Sequence, residues 1–169
     1  MNKVDITTPY KGISKFYFEK IIDEIIKLGN LKSEKKILDY GCGLKFLEKK
    51  LGKKIYNYDL DPRYTELNKW NLYNFDIIIL NHVLMYMDKE EFKKIITEIK
   101  KINPKCELII GLGKETILNK IAALATLKFD YLKNTKLNYF EQIELIKNEL
   151  KVFKKKDIYF LSEIYLCRL

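Results

Sequence analysis

Between Phe18 and Leu28 apolar residues recur at helical spacing, at Phe18, Ile21, Ile22, Ile25, Ile26 and Leu28. This predicts an amphipathic helix with Ser14 as its cap and Gly29-Asn30 as its stop. The period then changes. Four short apolar runs follow, Lys36 to Tyr40, Ile55 to Tyr58, Phe75 to Leu80 and Cys106 to Ile110, each bounded by Gly, Asp, Asn or Pro. They are too short for helices and read as buried parallel strands. Helical spacing returns between them. Leu44, Leu47 and Leu51 predict a short helix closed by Gly52, and Phe92, Ile95, Ile96, Ile99 and Ile102 a longer one. The longer helix has Asp88 as its cap, Glu91 at the capping-box position, and a stop before Pro104.

Beyond Gly113 the pattern predicts helices over Glu115 to Leu132 and Phe140 to Leu150, then strand-like alternation over Val152 to Phe160 and Glu163 to Leu169, with a turn near Ser162. Strands alternating with helices at this spacing mean a parallel sheet covered on both faces. The expected fold is α/β, a Rossmann-like doubly wound, mostly parallel sheet ending in an antiparallel strand pair. No repeat or linker interrupts residues 1–169, so one domain is expected.

Charge and cysteines narrow the possibilities. The chain carries 32 Lys+Arg against 23 Asp+Glu, a formal charge of +9, which would suit a nucleic-acid partner through counterion release. All the basic residues except Arg63 and Arg168 are lysines, whereas phosphate and base recognition favours the arginine fork. Surface lysine and glutamate usage accounts for the charge without a partner. Cys42, Cys106 and Cys167 are scattered and lack CxxC spacing, as expected of free thiols in a reducing, cytoplasmic compartment. With His82 as the single histidine, no zinc ligand set is expected. Charges break every apolar run well short of the roughly eighteen residues of a membrane span, so neither a leader nor a membrane partner is expected.

The chemistry concentrates after the first strand. Gly41 and Gly43 stand one residue apart in a chain of seven glycines, at the strand-to-helix turn where open α/β sheets bind ligands and a side chain would block approach to the backbone. Asp59 closes the second strand, at the spacing where such folds set a carboxylate on the vicinal hydroxyls of a ribose. A dinucleotide site needs GxGxxG, and here the third glycine position is Phe46.

The segment KILDYGCGLKFLEKKLGKKIYNYDLDP, Lys36 to Pro62, instead resembles the class I S-adenosylmethionine-dependent methyltransferases, whose first motif is an apolar strand, an acid and then GxGxG. Asp39, Gly41, Cys42 and Gly43 match it, and Lys45 takes the place of the third glycine. The resemblance continues through FDIIILNHVLMYMDKEEFKKIITEIKKINPKCELIIGLG, Phe75 to Gly113, which looks like the family's fourth strand, following helix and fifth strand. The carboxyl-terminal pair suits its sixth and seventh strands.

The resemblance implies a cofactor-binding half over residues 36–113, a substrate-side half with the last strands over 114–169, and an amino-terminal helix within 1–30. It implies S-adenosyl-L-methionine as cofactor, held by Asp39, Tyr40, Gly41, Cys42, Gly43, Asp59, Leu60 and Asn81, with no metal. Tyr86 falls where relatives carry a substrate-facing residue, and His82 at the end of the fourth strand is the candidate general base. Too few residues separate Asp59 from Phe75 for the usual helix and third strand, so Tyr64 to Trp70 is expected to form an abbreviated strand, with Trp70 in the core. Tyr10, Phe16 and Tyr17 are expected to pack the first helix on the sheet, and Ile117 to Leu132 to be a core helix rather than a lid. The implied activity is methyl transfer to a small-molecule acceptor. An RNA methyltransferase is one alternative, because GCGLKFL distantly resembles a turn of ribosomal RNA guanine-N7 enzymes. A non-catalytic cofactor-binding partner protein is another.

Overall fold

The computed structural model describes residues 13–114 and 135–169. The first helix, α1, spans Ile13–Leu28; it is already under way at Ile13, so Ser14 lies inside it and is not its cap. Asn30, at φ 48°, follows the helix end, and Gly29 donates back to Ile25, as the Gly-Asn stop predicts. Strand β1 is Ile37–Tyr40, helix α2 Phe46–Leu51, β2 Tyr56–Tyr58, β3 Ile77–Asn81, helix α3 Lys89–Ile102 and β4 Glu107–Gly113. Helix α4, Tyr139–Glu149, leads directly into β5, Lys151–Ile158, and β6, Ser162–Arg168, closes the chain. The expected helix over Glu115 to Leu132 lies outside the described residues, as does Tyr10.

The six strands order as β2-β1-β3-β4-β6-β5. The first four in this order are parallel, and β6 runs antiparallel between β4 and β5. The expected α/β sheet with an antiparallel end is therefore the observed one. Side chains alternate across it. Ile37, Ile77, Ile79, Ile109 and Ile164 pack with Ile21 and Ile25 of α1 and Leu47 of α2. Leu38, Ile78, Leu80, Leu108 and Ile110 pack on the other face with Phe92, Ile96 and Ile99 of α3 and Leu145 and Ile146 of α4. Burial of both faces is why the parallel strands read as unbroken apolar runs.

Helix α3 opens on the expected capping box, the Asp88 carboxylate accepting from the Glu91 amide at 2.8 Å and Glu91 accepting from the Asp88 amide at 2.8 Å. Helix α4 opens on a second such box, Asn138 with Glu141. One expectation fails. Residues 64–70 form no strand but a loop that ends in a 3₁₀ turn, Trp70–Leu72. The Glu66 amide donates to the Asn57 carbonyl at 2.9 Å. Thr65 Oγ1 donates to the Leu67 carbonyl at 2.9 Å and accepts from its amide. These local bonds take the backbone groups a strand would need. Trp70 is buried, with its ring edge-on to Tyr40. Among the described residues no helix is long and apolar enough to cross a membrane.

Candidate functional site

The carboxyl ends of β1 and β2 are joined by the glycine turn. The amides of Gly41 and Cys42 both donate to the Tyr58 carbonyl, at 2.7 and 3.1 Å, so the turn is fixed to the end of β2. The two glycines serve different needs. At Gly41, φ +80°, a Cβ would stand 2.4 Å from Val83 Cγ2, so packing excludes a side chain. At Gly43, φ +46°, a Cβ would meet nothing within 4 Å, so the space above the turn is open. Lys45, where the motif has its third glycine, keeps the left-handed conformation at φ 58°. Its ammonium is held by Glu66 Oε1 at 2.5 Å, and it precedes the first turn of α2. The loop retains a left-handed residue here without a glycine.

Asp59 follows β2 and faces the turn. Its Oδ2 accepts from the Gly43 amide and its Oδ1 from the Asp61 amide, each at 2.9 Å. Each oxygen keeps a lone pair for a ligand. Leu60 beside it is exposed, and Asp61 is taken up by the Arg63 guanidinium at 2.5 Å.

Asp39 differs from Asp59 in every respect. It sits between Asn57 and Ile79 in the sheet register, on the face covered by α1 and α2, and is only 6% exposed. No hydrogen-bond or ion-pair partner reaches it among the described residues. Burial, reinforced by the nearby charges of Asp59 and Glu48, pushes its carboxyl up to about 7. Asn57 beside it donates Nδ2 to Glu48 Oε2 at 2.8 Å, but its buried Oδ1 has no donor. Tyr40 points to the opposite face, toward Trp70. Cys42 is buried, its Sγ directed at the Tyr64 carbonyl at 3.6 Å. Burial, then Asp39 and Asp59, push its thiol up to about 12, which suits a lining residue and not a nucleophile.

The end of β3 supplies the next pair. The Asn81 side chain fills the place a Cβ at Gly111 would take, 2.3 Å from Oδ1, and the His82 ring lies 3.4 Å from that of Gly113. These two glycines of β4 make the room that both side chains occupy. His82 turns at φ 57°, and its ring meets Phe18 of α1 edge-on at 6.2 Å between centroids. The residue is partly exposed, yet its Nε2 is closed off from solvent and unpaired, as is Asn81 Oδ1. Burial pushes the imidazole down to about 4. Tyr86 lies in the 3₁₀ turn Leu84–Tyr86 beyond this strand and is 36% exposed.

The fold thus gathers Asp39, Gly41, Cys42, Gly43 and Asp59 at one spot, with Asn81 and His82 on the adjoining strand end and Tyr40 turned away behind the sheet. Reading the sequence did not single out Asn57 or Glu66. The polar residue in the middle of YNY was the available signal for Asn57.

No family model and no curated protein matches the sequence. Solved structures do match in fold. The PH0226 protein of Pyrococcus horikoshii OT3 superposes with a TM-score of 0.65 at 11% identity, covering 97% of this chain and 93% of its own. Magnesium protoporphyrin IX methyltransferase of Synechocystis PCC 6803, with bound SAH, gives 0.61 at 12% identity over 98% and 91%. The N-methyltransferase NodS of Bradyrhizobium japonicum WM9, in complex with S-adenosyl-L-homocysteine, gives 0.61 at 15% identity over 90% and 87%. The chain has the class I methyltransferase fold. Its sheet lacks the family's usual third strand among the described residues, where the 64–70 loop runs instead.

Proposed function

We propose that this protein is an S-adenosylmethionine-dependent methyltransferase acting on a small-molecule acceptor. The observation that carries the reading is Asp39, a buried carboxylate with no partner among the described residues, at a strand end beside an open glycine turn. Burying a carboxylate without a donor is costly, and a cationic ligand removes that cost. Asn57 Oδ1, Asn81 Oδ1 and His82 Nε2 also lack donors. Those three atoms are enclosed, so the acceptors offered to a ligand with N–H and O–H groups are the carboxylates of Asp39 and Asp59. S-adenosylmethionine carries an ammonium, two ribose hydroxyls and an amino-purine, and it supplies an activated methyl bound to a sulfonium.

In this reading Asp39 takes the cationic amino-acid portion, the backbone at Gly43 admits the ligand, and Asp59 accepts the ribose hydroxyls. Leu60 covers the adenine side. Because the methyl is already activated, alignment is the main task left to the protein. His82 is neutral at physiological pH, a weak base with Nε2 enclosed, so its part is to shape the end of β3 and not to take a proton, with Tyr86 at the open side. One structural neighbour is a methyltransferase of magnesium protoporphyrin IX, a small molecule, which supports that class over RNA.

Titration calorimetry with S-adenosylhomocysteine tests the reading. Binding a cation next to Asp39 expels its proton, so affinity should rise as pH is raised from 6 through about 7 and then level off. The heat should vary with the ionisation enthalpy of the buffer. Asp39→Asn should weaken binding and abolish both dependences. No heat and no thermal shift with either cofactor form at millimolar concentration would remove the proposal.

A further inference from the structure

Four aromatic rings stand out into solvent at one end of the sheet. Phe16, Phe140, Tyr159 and Phe160 are 73%, 73%, 61% and 80% exposed. Among the described residues the other large apolar side chains as open are Leu60, in the glycine-turn site, and Leu72, far from this end. The four rings come from three elements that converge beside the end of β4. Phe16 precedes Tyr17, whose hydroxyl is hydrogen-bonded to Ser162 Oγ, and Ser162 lies opposite Gly113, the last residue of β4. Phe140 follows Tyr139, which is hydrogen-bonded to Glu163 at the next position of β6. Tyr159 and Phe160 form the tip of the β5–β6 hairpin.

The tip holds its rings in a conformation that bulky residues rarely adopt. Tyr159 and Phe160 have φ 47° and 59°, and the Leu161 amide donates to the Ile158 carbonyl at 2.9 Å across them. Asn-Gly makes such a turn without strain, so hairpin geometry gives no reason for two aromatic residues, and burial gives none either. Lysines lie near the rings: Lys156 on the exposed edge strand β5, with Lys154 further along it, and Lys15 and Lys20 on α1, which are paired with Glu19 and Glu24. Lysine on an edge strand guards against edge-to-edge pairing, which accounts for the lysines of β5 but not for the rings. Asp157 and Glu163 are neutralised by Lys114, Glu163 again by Lys155 at 2.7 Å, and Glu24 by Lys20 at 2.8 Å.

We propose that this end of the molecule docks on the surface of an anionic bilayer, the four rings entering the headgroup region and the lysines meeting the lipid charges. A protein interface centres on a contiguous, close-packed apolar core. Rings standing singly among lysines, on three elements and on both faces of the sheet, match an interfacial membrane contact instead. The chain's +9 charge has the complementary sign. Docking of this kind requires no long apolar run, so it is compatible with the absence of a spanning segment among the described helices. It also stands independently of methyl transfer, since nothing in the glycine turn takes part.

The test is co-sedimentation of the full chain with vesicles of phosphatidylcholine, alone or mixed with phosphatidylglycerol, at several salt concentrations. Wild type should sediment with the mixed vesicles, less so as salt rises, and about tenfold more weakly with phosphatidylcholine alone. The double variant Tyr159→Asn, Phe160→Gly supplies the unstrained turn, so its melting temperature should not fall, yet its affinity for the mixed vesicles should drop about tenfold. Binding of S-adenosylhomocysteine should be the same in both proteins. The proposal is overturned if wild type stays in the supernatant, if both vesicle types bind it equally, or if the variant sediments as wild type does. A concentration-dependent dimer on gel filtration that the variant abolishes also overturns it, because the rings would then belong to a second copy of the chain.

Discussion

Left-handed backbone appears at three places along the carboxyl edge of the sheet, His82 after β3 among them, and the other two use it in opposite ways. In the turn after β1 it falls on Gly41, Gly43 and Lys45; at the tip of the β5–β6 hairpin it falls on Tyr159 and Phe160. In the first, side chains are missing or drawn aside: Gly41 because Val83 is in the way, Gly43 with open space above it, Lys45 with its ammonium tied to Glu66. In the second, two large rings project into solvent despite the strain. One region makes room and the other presents surface. A positive φ therefore has to be read with the side chain it carries.

The largest expected effect separates the two glycines of the turn. Gly41→Ala combines the left-handed penalty, about 1 to 2 kcal/mol, with an overlap on Val83 that repacking relieves at about 1 to 3 kcal/mol. Gly43→Ala carries only the left-handed penalty, but its methyl enters the open space. Thermal melts should show Gly41→Ala destabilised by about 3 kcal/mol and Gly43→Ala by about 1. S-adenosylhomocysteine affinity of the still-folded Gly43→Ala should fall about tenfold. Equal losses of stability in the two variants would mean that the room over Gly43 is not real.

Asp59 and Asp61 refine the same region with an internal control, since each substitution removes one negative charge from one loop. Asp59→Ala deletes the acceptor of two backbone amides, Gly43 and Asp61, together with the proposed ribose contacts, and should weaken S-adenosylhomocysteine binding by about 2 to 4 kcal/mol. Asp61→Ala breaks an exposed pair with Arg63 and should change binding by less than about 1 kcal/mol. Dissociation constants that shift equally would reduce Asp59 to a turn residue.

How much of this was legible beforehand follows from what each feature depends on. Periodicity located every described helix and strand, because burial of both faces leaves unbroken apolar runs and a one-sided helix leaves a 3.6-residue stripe. Strand ends were misplaced where pairing outlasts the apolar run: β3 continues to Asn81 because it pairs with Gly111, and β4 continues to Gly113 because Leu112 and Gly113 pair with Glu163 and Ser162 of β6. The strand expected over Tyr64 to Trp70 failed because Thr65 and Glu66 bond locally and to Asn57, Lys45 and Lys54, which no period reports. Gly41, Gly43 and Asp59 could be named from spacing, and Asp39 from the resemblance to the methyltransferase motif. Asp39's lack of a partner could not, because it depends on what the register sets beside it, Asn57 and Ile79, and on the distance of every lysine in a lysine-rich chain.

The smallest expected effect is at Lys45, the departure from the glycine motif. Lys45→Gly restores the residue that the left-handed conformation favours, a gain of about 1 kcal/mol. It also raises the chain entropy lost on folding, a cost of about 0.5 to 1 kcal/mol, and it frees Glu66 from one of its two lysines, a partly exposed pair worth less than about 1 kcal/mol. Lys54 still reaches Glu66 Oε1 at 2.8 Å and Asn57 Nδ2 still donates to Oε2 at 3.3 Å, so the 64–70 loop keeps its anchor. The terms cancel, and stability and S-adenosylhomocysteine affinity should both stay near wild type. A loss of stability well above 1 kcal/mol would show that the Lys45–Glu66 pair, rather than the backbone conformation, shapes the turn, and the contrast with the aromatic tip would then rest on Gly41 and Gly43 alone.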